Sequence, residues 1–242
     1  MGLQSVLRLI YPPHCIACPE PVQEAHGLCP ACWRDTPFIS GLVCDQCGVP
    51  LPGEDDGRGP APICDDCLTI ARPWDRGRAV MLYRDRGRKL VLALKHGDRL
   101  DLARPAGRWL ARTAAPLLND RTLIAPIPLH WTRLVRRRFN QAAVLAQALA
   151  AETGHPCRPD LLLRRRRTPS QDGRNRDGRF RNLDSAITVH PRGAGYLPGR
   201  RVLLVDDVMT SGATLAAAAD ACLAAGAEGV DIVTLARVAK DG

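Results

Sequence analysis

The sequence predicts an α/β fold, a parallel sheet flanked by helices, preceded by a small cysteine-rich domain. Three observations carry that expectation. Val202–Val205 is a four-residue apolar run, too short for a helix and typical of a strand buried on both faces; the alanine-rich stretch Leu215–Ala225 then reads as a helix stopped by Gly226. Upstream, Thr122–Leu129 followed by Gln141–Ala151 repeats the strand-then-helix order, with Asn140 placed to cap the helix. Eight of the ten cysteines fall in four C-x-x-C pairs between Cys15 and Cys67.

Charge divides the chain in the same place as the cysteines do. Residues 1–75 carry four arginines against ten acidic residues, a net of −6, whereas the rest carries 30 basic and 15 acidic residues, a net of +15. We therefore expect one domain over 1–72 and a second over 73–242. The basic part suits polyphosphates or a nucleic-acid backbone. No stretch approaches ~20 apolar residues, so no membrane-spanning helix is expected. The start, MGLQSVLRLIYPP, has too short an apolar core and no small-residue cleavage site for a secretory signal, and reads as a short amphipathic helix. A cytoplasmic location follows from that reading, and it makes metal ligation a better use of the cysteines than disulfides.

Each C-x-x-C pair presents two thiolates, and two pairs complete a tetrahedral site for a soft ion such as Zn²⁺. Cys15, Cys18, Cys29 and Cys32 would form one site, and Cys44, Cys47, Cys64 and Cys67 the other. Spacing equally allows an interleaved pairing, and an Fe–S cluster is the other group that four cysteines accept. His14 and His26 are bystanders beside complete cysteine sets. Gly48 supplies the backbone freedom that a turn after Cys47 needs. So few apolar residues lie here that metal would supply most of the folding free energy, about 10 kcal/mol per site.

Further along, Arg78–Arg84 alternates like a strand, Arg88–Lys95 has helical spacing ending at Gly97, and Asp101–Ala115 is a second helix. The loop between Leu129 and Asn140 holds Arg133, Arg136, Arg137 and Arg138. Leu161–Leu163 reads as a strand, and eight arginines follow between Arg164 and Arg181, broken by Pro169, Gly173 and Gly178. That stretch suits a lid over an anionic ligand or a contact with a nucleic-acid backbone. Cys157 and Cys222 read as buried small hydrophobes. His130 sits in the first arginine loop.

The most specific chemistry lies in Val202–Thr214, VLLVDDVMTSGAT. A strand ends on Asp206 and Asp207, and a loop with Thr210, Ser211, Gly212, Ala213 and Thr214 opens a helix. In an open α/β sheet, ligands bind at this carboxyl edge. Backbone N–H groups and hydroxyls at a helix start cradle phosphate, while the carboxylates suit sugar hydroxyls or Mg²⁺. The combination describes a ribose 5-phosphate pocket.

This stretch resembles the phosphoribosyl pyrophosphate (PRPP) signature of type I phosphoribosyltransferases. With the C-x-x-C pairs, Lys95-His96-Gly97, PIPLHWTRLVRRRFNQA, Thr168-Pro169-Ser170-Gln171 and Arg179-Phe180-Arg181-Asn182, nearly the whole chain resembles the ComF (competence protein F) family. The family pattern departs at Asp98, Arg174, Ser185 and Ile187. The resemblance implies a type I phosphoribosyltransferase-like sheet behind a double zinc ribbon, a pentosyl-transferring activity with Mg²⁺-PRPP as donor, and a role in DNA uptake and natural transformation. Asp206 and Asp207 would hold ribose hydroxyls and Mg²⁺, residues 210–214 the 5-phosphate, and Arg133, Arg138 and Asn140 the pyrophosphate. No segment looks like a base-recognition hood, so the acceptor stays open. The alternative is a non-catalytic, PRPP-responsive factor that binds single-stranded DNA; a third reading makes the zinc ribbon a docking platform for uptake machinery.

Overall fold

The computed structural model describes residues 12–54, 59–96, 99–130, 139–165 and 186–239. The expected N-terminal helix, the arginines at 133–138 and the arginine-rich stretch beyond Arg165 lie outside them. Two short helices, α1 (Pro30–Asp35) and α2 (Asp65–Thr69), belong to the cysteine-rich part. The rest runs β1 (Arg76–Leu82), α3 (Asp85–His96), α4 (Ala103–Ala114), β2 (Thr122–Pro126), α5 (Gln141–Thr153), β3 (Leu162–Arg164), β4 (Ile187–Val189), β5 (Arg201–Met209), α6 (Ala213–Ala224) and β6 (Gly229–Arg237).

Four strands form a parallel sheet in the order β1-β6-β5-β2. Side chains alternate across it. Val202 and Leu204 of β5 join a buried cluster with α6, whereas Leu203 and Val205 join one with α3, α4 and α5. Leu123 and Ile124 of β2, and Ile232 and Val233 of β6, divide in the same way. Apolar runs on β2 and β5 are therefore continuous because both faces are covered. β3 and β4 pair antiparallel, and β4 packs on α6.

Several elements differ from expectation. β5 continues through the acidic pair to Met209, because β6 pairs with it as far as Met209↔Arg237. α6 starts at Ala213, with Gly212 as its left-handed cap at φ +83. At its other end Gly226 has φ +96, and the bonds Gly226 N→Leu223 O and Ala227 N→Cys222 O close the helix as expected. The central strand β6, and β4, were not anticipated.

The cysteine-rich part is joined to the sheet at its β1 edge. Phe38 bridges Met81 in antiparallel fashion, supported by Ile39 N→Val80 O and Leu82 N→Pro37 O at 2.9 Å each. On the opposite edge, residues 156–158 pair beside Ile124 of β2. Both edges of the sheet are thus occupied by chain rather than left open to another strand.

Candidate ligand pocket and metal centres

The cysteines resolve into two groups, Cys15/Cys18/Cys29/Cys32 and Cys44/Cys47/Cys64/Cys67, with the four sulfurs of each within 4.8 Å of one another. The pairing is sequential rather than interleaved. None of the eight is in a disulfide, and the S···S separations include 3.7 Å for Cys18–Cys29, 3.4 Å for Cys18–Cys32 and 3.6 Å for Cys47–Cys64. A tetrahedral Zn²⁺ with bonds of about 2.3 Å sets its sulfurs roughly 3.8 Å apart, so the residues fit that ion. Backbone N–H groups already point at the sulfurs, as in Cys29 N→Cys15 Sγ and Cys64 N→Cys44 Sγ at 3.3 Å each. Burial pushes the Cys15 thiol up, but such N–H groups pull it down to about 7. The hydrogen bond with Cys44, with burial, pushes Cys67 up to about 11. Sulfurs this close hold protons between them unless a cation replaces those protons.

The first group forms its own small cluster with Val22 and Leu28. The second belongs to the main core, packed with Trp74, Met209, Leu215 and Ile232. Its closeness to the sheet demands glycine twice. A Cβ on Gly77 would lie 2.4 Å from the Gln46 carbonyl, and one on Gly48, at φ +68, would lie 2.7 Å from Ala79 N.

At the carboxyl edge of β5, Asp206, Thr210, Gly212, Ala213 and Thr214 line one small pocket at the start of α6. Ser211 Oγ accepts from Ala213 N at 3.5 Å, a long capping bond, and the amide ends of α6 point into this region. The strand's pleat separates the two carboxylates. Asp206 shares the α6 face and the pocket, whereas Asp207 meets Lys95 Nζ of α3 at 3.1 Å on the other face. Burial, then repulsion from Asp207, raises Asp206 to about 7, although Lys95, the Asp207 N–H and Arg164 act downward. The pocket therefore holds a carboxylate whose charge is incompletely matched, the environment that a cation or hydroxyl donors would complete.

Asn140 caps α5 by accepting from Ala142 N at 3.1 Å and donates to the Ile127 carbonyl at 3.0 Å. Its amide thus clamps the two ends of the first arginine loop. His130, at the start of that loop, is buried. Arg133 and Arg138 lie outside the described residues. Burial pushes the Cys222 thiol up to about 12, as expected of an inert core thiol, whereas Cys157, pushed up to about 11, is only half-buried at the edge of the core. Sequence reading missed the pairing of Lys95 with Asp207, although Lys95 stood in a motif already noted. It also missed Arg72 and Arg237, which bond the carbonyls of Ser211 and Thr210 at 2.7 Å each. No local pattern marked either arginine.

Among the described residues, no helix is long and apolar enough to cross a membrane. The family profile described as a double zinc ribbon domain matches residues 6–68, and that of a phosphoribosyl transferase domain matches residues 114–242. The chain is 33% identical to the DNA utilization protein YhgH of Escherichia coli (strain K12) over 244 aligned residues, covering 95% of this chain and 99% of that one. It is 30% identical to competence protein F of Haemophilus influenzae, covering 92% and 96%, and 27% identical to competence protein ComFC of Bacillus subtilis, covering 87% and 84%. The chain therefore belongs to the ComF (competence protein F) family, with a double zinc ribbon joined to a phosphoribosyltransferase domain.

Proposed function

We propose that this protein binds PRPP with Mg²⁺ at the carboxyl edge of β5 and serves DNA uptake in the cytoplasm as a phosphoribosyltransferase-like protein. The observation that carries the reading is the shared pocket of Asp206 and the 210–214 loop at the start of a helix. Backbone amides and hydroxyls of Thr210, Ser211, Gly212, Ala213 and Thr214 hold the 5-phosphate. Asp206 accepts from the ribose hydroxyls and turns toward Mg²⁺, while Asp207, held by Lys95 on the opposite face of β5, supports the strand end that carries it. When bound, Mg²⁺ would neutralise charge on the pyrophosphate. Arg133 and Arg138, outside the described residues, are assigned to the pyrophosphate by the family resemblance alone, and Asn140, whose amide is engaged within the chain at both ends, holds the end of that loop.

Calorimetric titration with PRPP, with and without Mg²⁺, tests this on the wild type and on Asp206→Ala combined with Asp207→Ala. Loss of charged acceptors should weaken binding about tenfold or more; equal affinity would remove the assignment. A second reading, a non-catalytic PRPP-responsive binder of single-stranded DNA, draws support from the +15 balance after residue 75 and from relatives named for competence and DNA utilization. Pyrophosphate release with nucleobases, amines and oligonucleotides separates the two. Binding of single-stranded DNA at rising salt is the companion measurement, because phosphate contacts demand a steep decline.

A further inference from the structure

Two arginines stand between the second cysteine group and the loop that opens α6. Arg72 Nη1 donates to the Ser211 carbonyl at 2.7 Å. Arg237 Nη1 donates to the carbonyls of Thr210 at 2.7 Å and Met209 at 3.3 Å, and also to Val238 O. The Nε atoms of Arg72 and Arg237 are both buried and have no hydrogen-bond partner among the described residues.

The packing between them is tight. The Arg72 guanidinium lies 5.2 Å from the centroid of Trp74, whose Nε1 donates to the Gln46 carbonyl at 2.6 Å, inside the Cys44–Cys47 turn. A Cβ on Gly212 would meet Met209 Cε at 2.7 Å, Arg72 Nη1 at 2.9 Å and Trp74 Cη2 at 3.0 Å. Arg237 is only 4% exposed. Among the described residues, neither arginine forms an ion pair with a carboxylate. A buried cation needs an anionic partner. Four thiolates around Zn²⁺ leave a net charge of about −2, the complement of two guanidinium groups.

We propose that the second Cys₄ metal site is a positioning element for the 209–214 loop, acting through Arg72 and Arg237. The metal fixes the thiolates, the thiolates hold the guanidinium groups, and these hold the loop carbonyls so that the amides turn toward the pocket. The first Cys₄ group has no such connection to the loop among the described residues. This inference rests on reading the loop as a phosphate cradle, but its central test does not.

Hydrogen exchange of the 209–214 amides in the full-length, zinc-loaded chain is compared with Arg72→Met, Arg237→Met and Cys64→Ser, with zinc content measured in each. Arg121→Gln, at an exposed ion pair with Glu228, controls for loss of positive charge. Losing a charged donor to a loop carbonyl predicts exchange about tenfold faster in that segment, with Arg121→Gln unchanged. Removing the zinc ligand in Cys64→Ser should reproduce the effect without touching either arginine. If Cys64→Ser does not fold, the two arginine variants carry the test. Unchanged loop exchange in folded Arg72→Met and Arg237→Met overturns the proposal. PRPP and inorganic phosphate are titrated in parallel. A wild type that binds neither removes the phosphate-cradle reading, while the exchange result still decides the positioning role.

Discussion

The two Cys₄ groups share a ligand pattern and lie on opposite sides of the same sheet edge. Residues 37–39 pair with β1, and the chain passes from one side of that strand to the other. Before them, Ile16 and Leu28 pack, with Phe38 itself, against the core under α3, α4 and α5. After them, Cys44, Cys47 and Cys67 enter the core under α6, on the face of the sheet where Asp206 of β5 also lies. The first group is attached through its neighbours: Arg99 Nη2 donates to Ile16 O at 3.2 Å, Arg86 pairs with Asp35 at 3.1 Å, and Phe38 stands between Trp33 and Trp109 with centroids 4.5 and 5.2 Å away. The second is attached through its ligands themselves. A metal site whose ligands are core residues stabilises the core directly, whereas one held by its flanks mainly stabilises its own ribbon.

Removing a ligand from each site is the strongest way to break that contrast. Cys47 is 1% exposed, so Cys47→Ser should prevent cooperative folding of the whole chain, given a metal contribution on the order of 10 kcal/mol. Thermal denaturation followed by circular dichroism reads this. Cys18→Ser, at a half-buried ligand of the first group, should lower zinc content by one ion per chain and leave a cooperative transition for the sheet. Equal losses in both variants would end the distinction.

The α6 side also carries a pH-sensitive group. Asp206 is raised from 3.8 to about 7, so the folded state keeps a proton that the unfolded state releases between those values. The stability this adds is complete below the unfolded value and disappears as pH rises toward 7, at up to ~1.4 kcal/mol per pH unit. Asp206→Asn should flatten that slope in urea titrations of the ligand-free protein; an unaltered slope would assign the dependence elsewhere. At the contact between the second ribbon and the sheet, Gly77→Ala places a Cβ 2.4 Å from Gln46 O and 2.8 Å from Ile232 Cγ1, and should cost about 1–3 kcal/mol. The smallest effect belongs to the first ribbon. Arg86→Gln breaks a partly exposed ion pair with Asp35 and should cost ~1 kcal/mol or less, fading in high salt.

Much of the fold and the pocket was legible from short stretches of sequence. The C-x-x-C spacing marked all eight ligands, because two thiolates on one tight turn need no distant partner, but which pairs share a site was decided only by the fold. The strand, hydroxyl-and-glycine loop and helix of 202–226 were readable because burial alternation, cap and stop all act within a few residues. β6 escaped notice because Asp231 and Arg237 sit inside a fully buried strand. They are tolerated there only because Arg201 pairs with Asp231 at 3.1 Å and Arg237 bonds the loop carbonyls.

The sequence by itself determined the ligands, the hydroxyl-bearing loop and the chemical character of the pocket, since each depends on neighbours along the chain. Tertiary structure alone decided which Asp faces the pocket, which Lys answers the other, and which Cys₄ group touches the loop. Those relations join residues far apart, as Arg72 and Ser211 are across 139 positions. They follow from strand order and pleat, which set distances that no local spacing encodes.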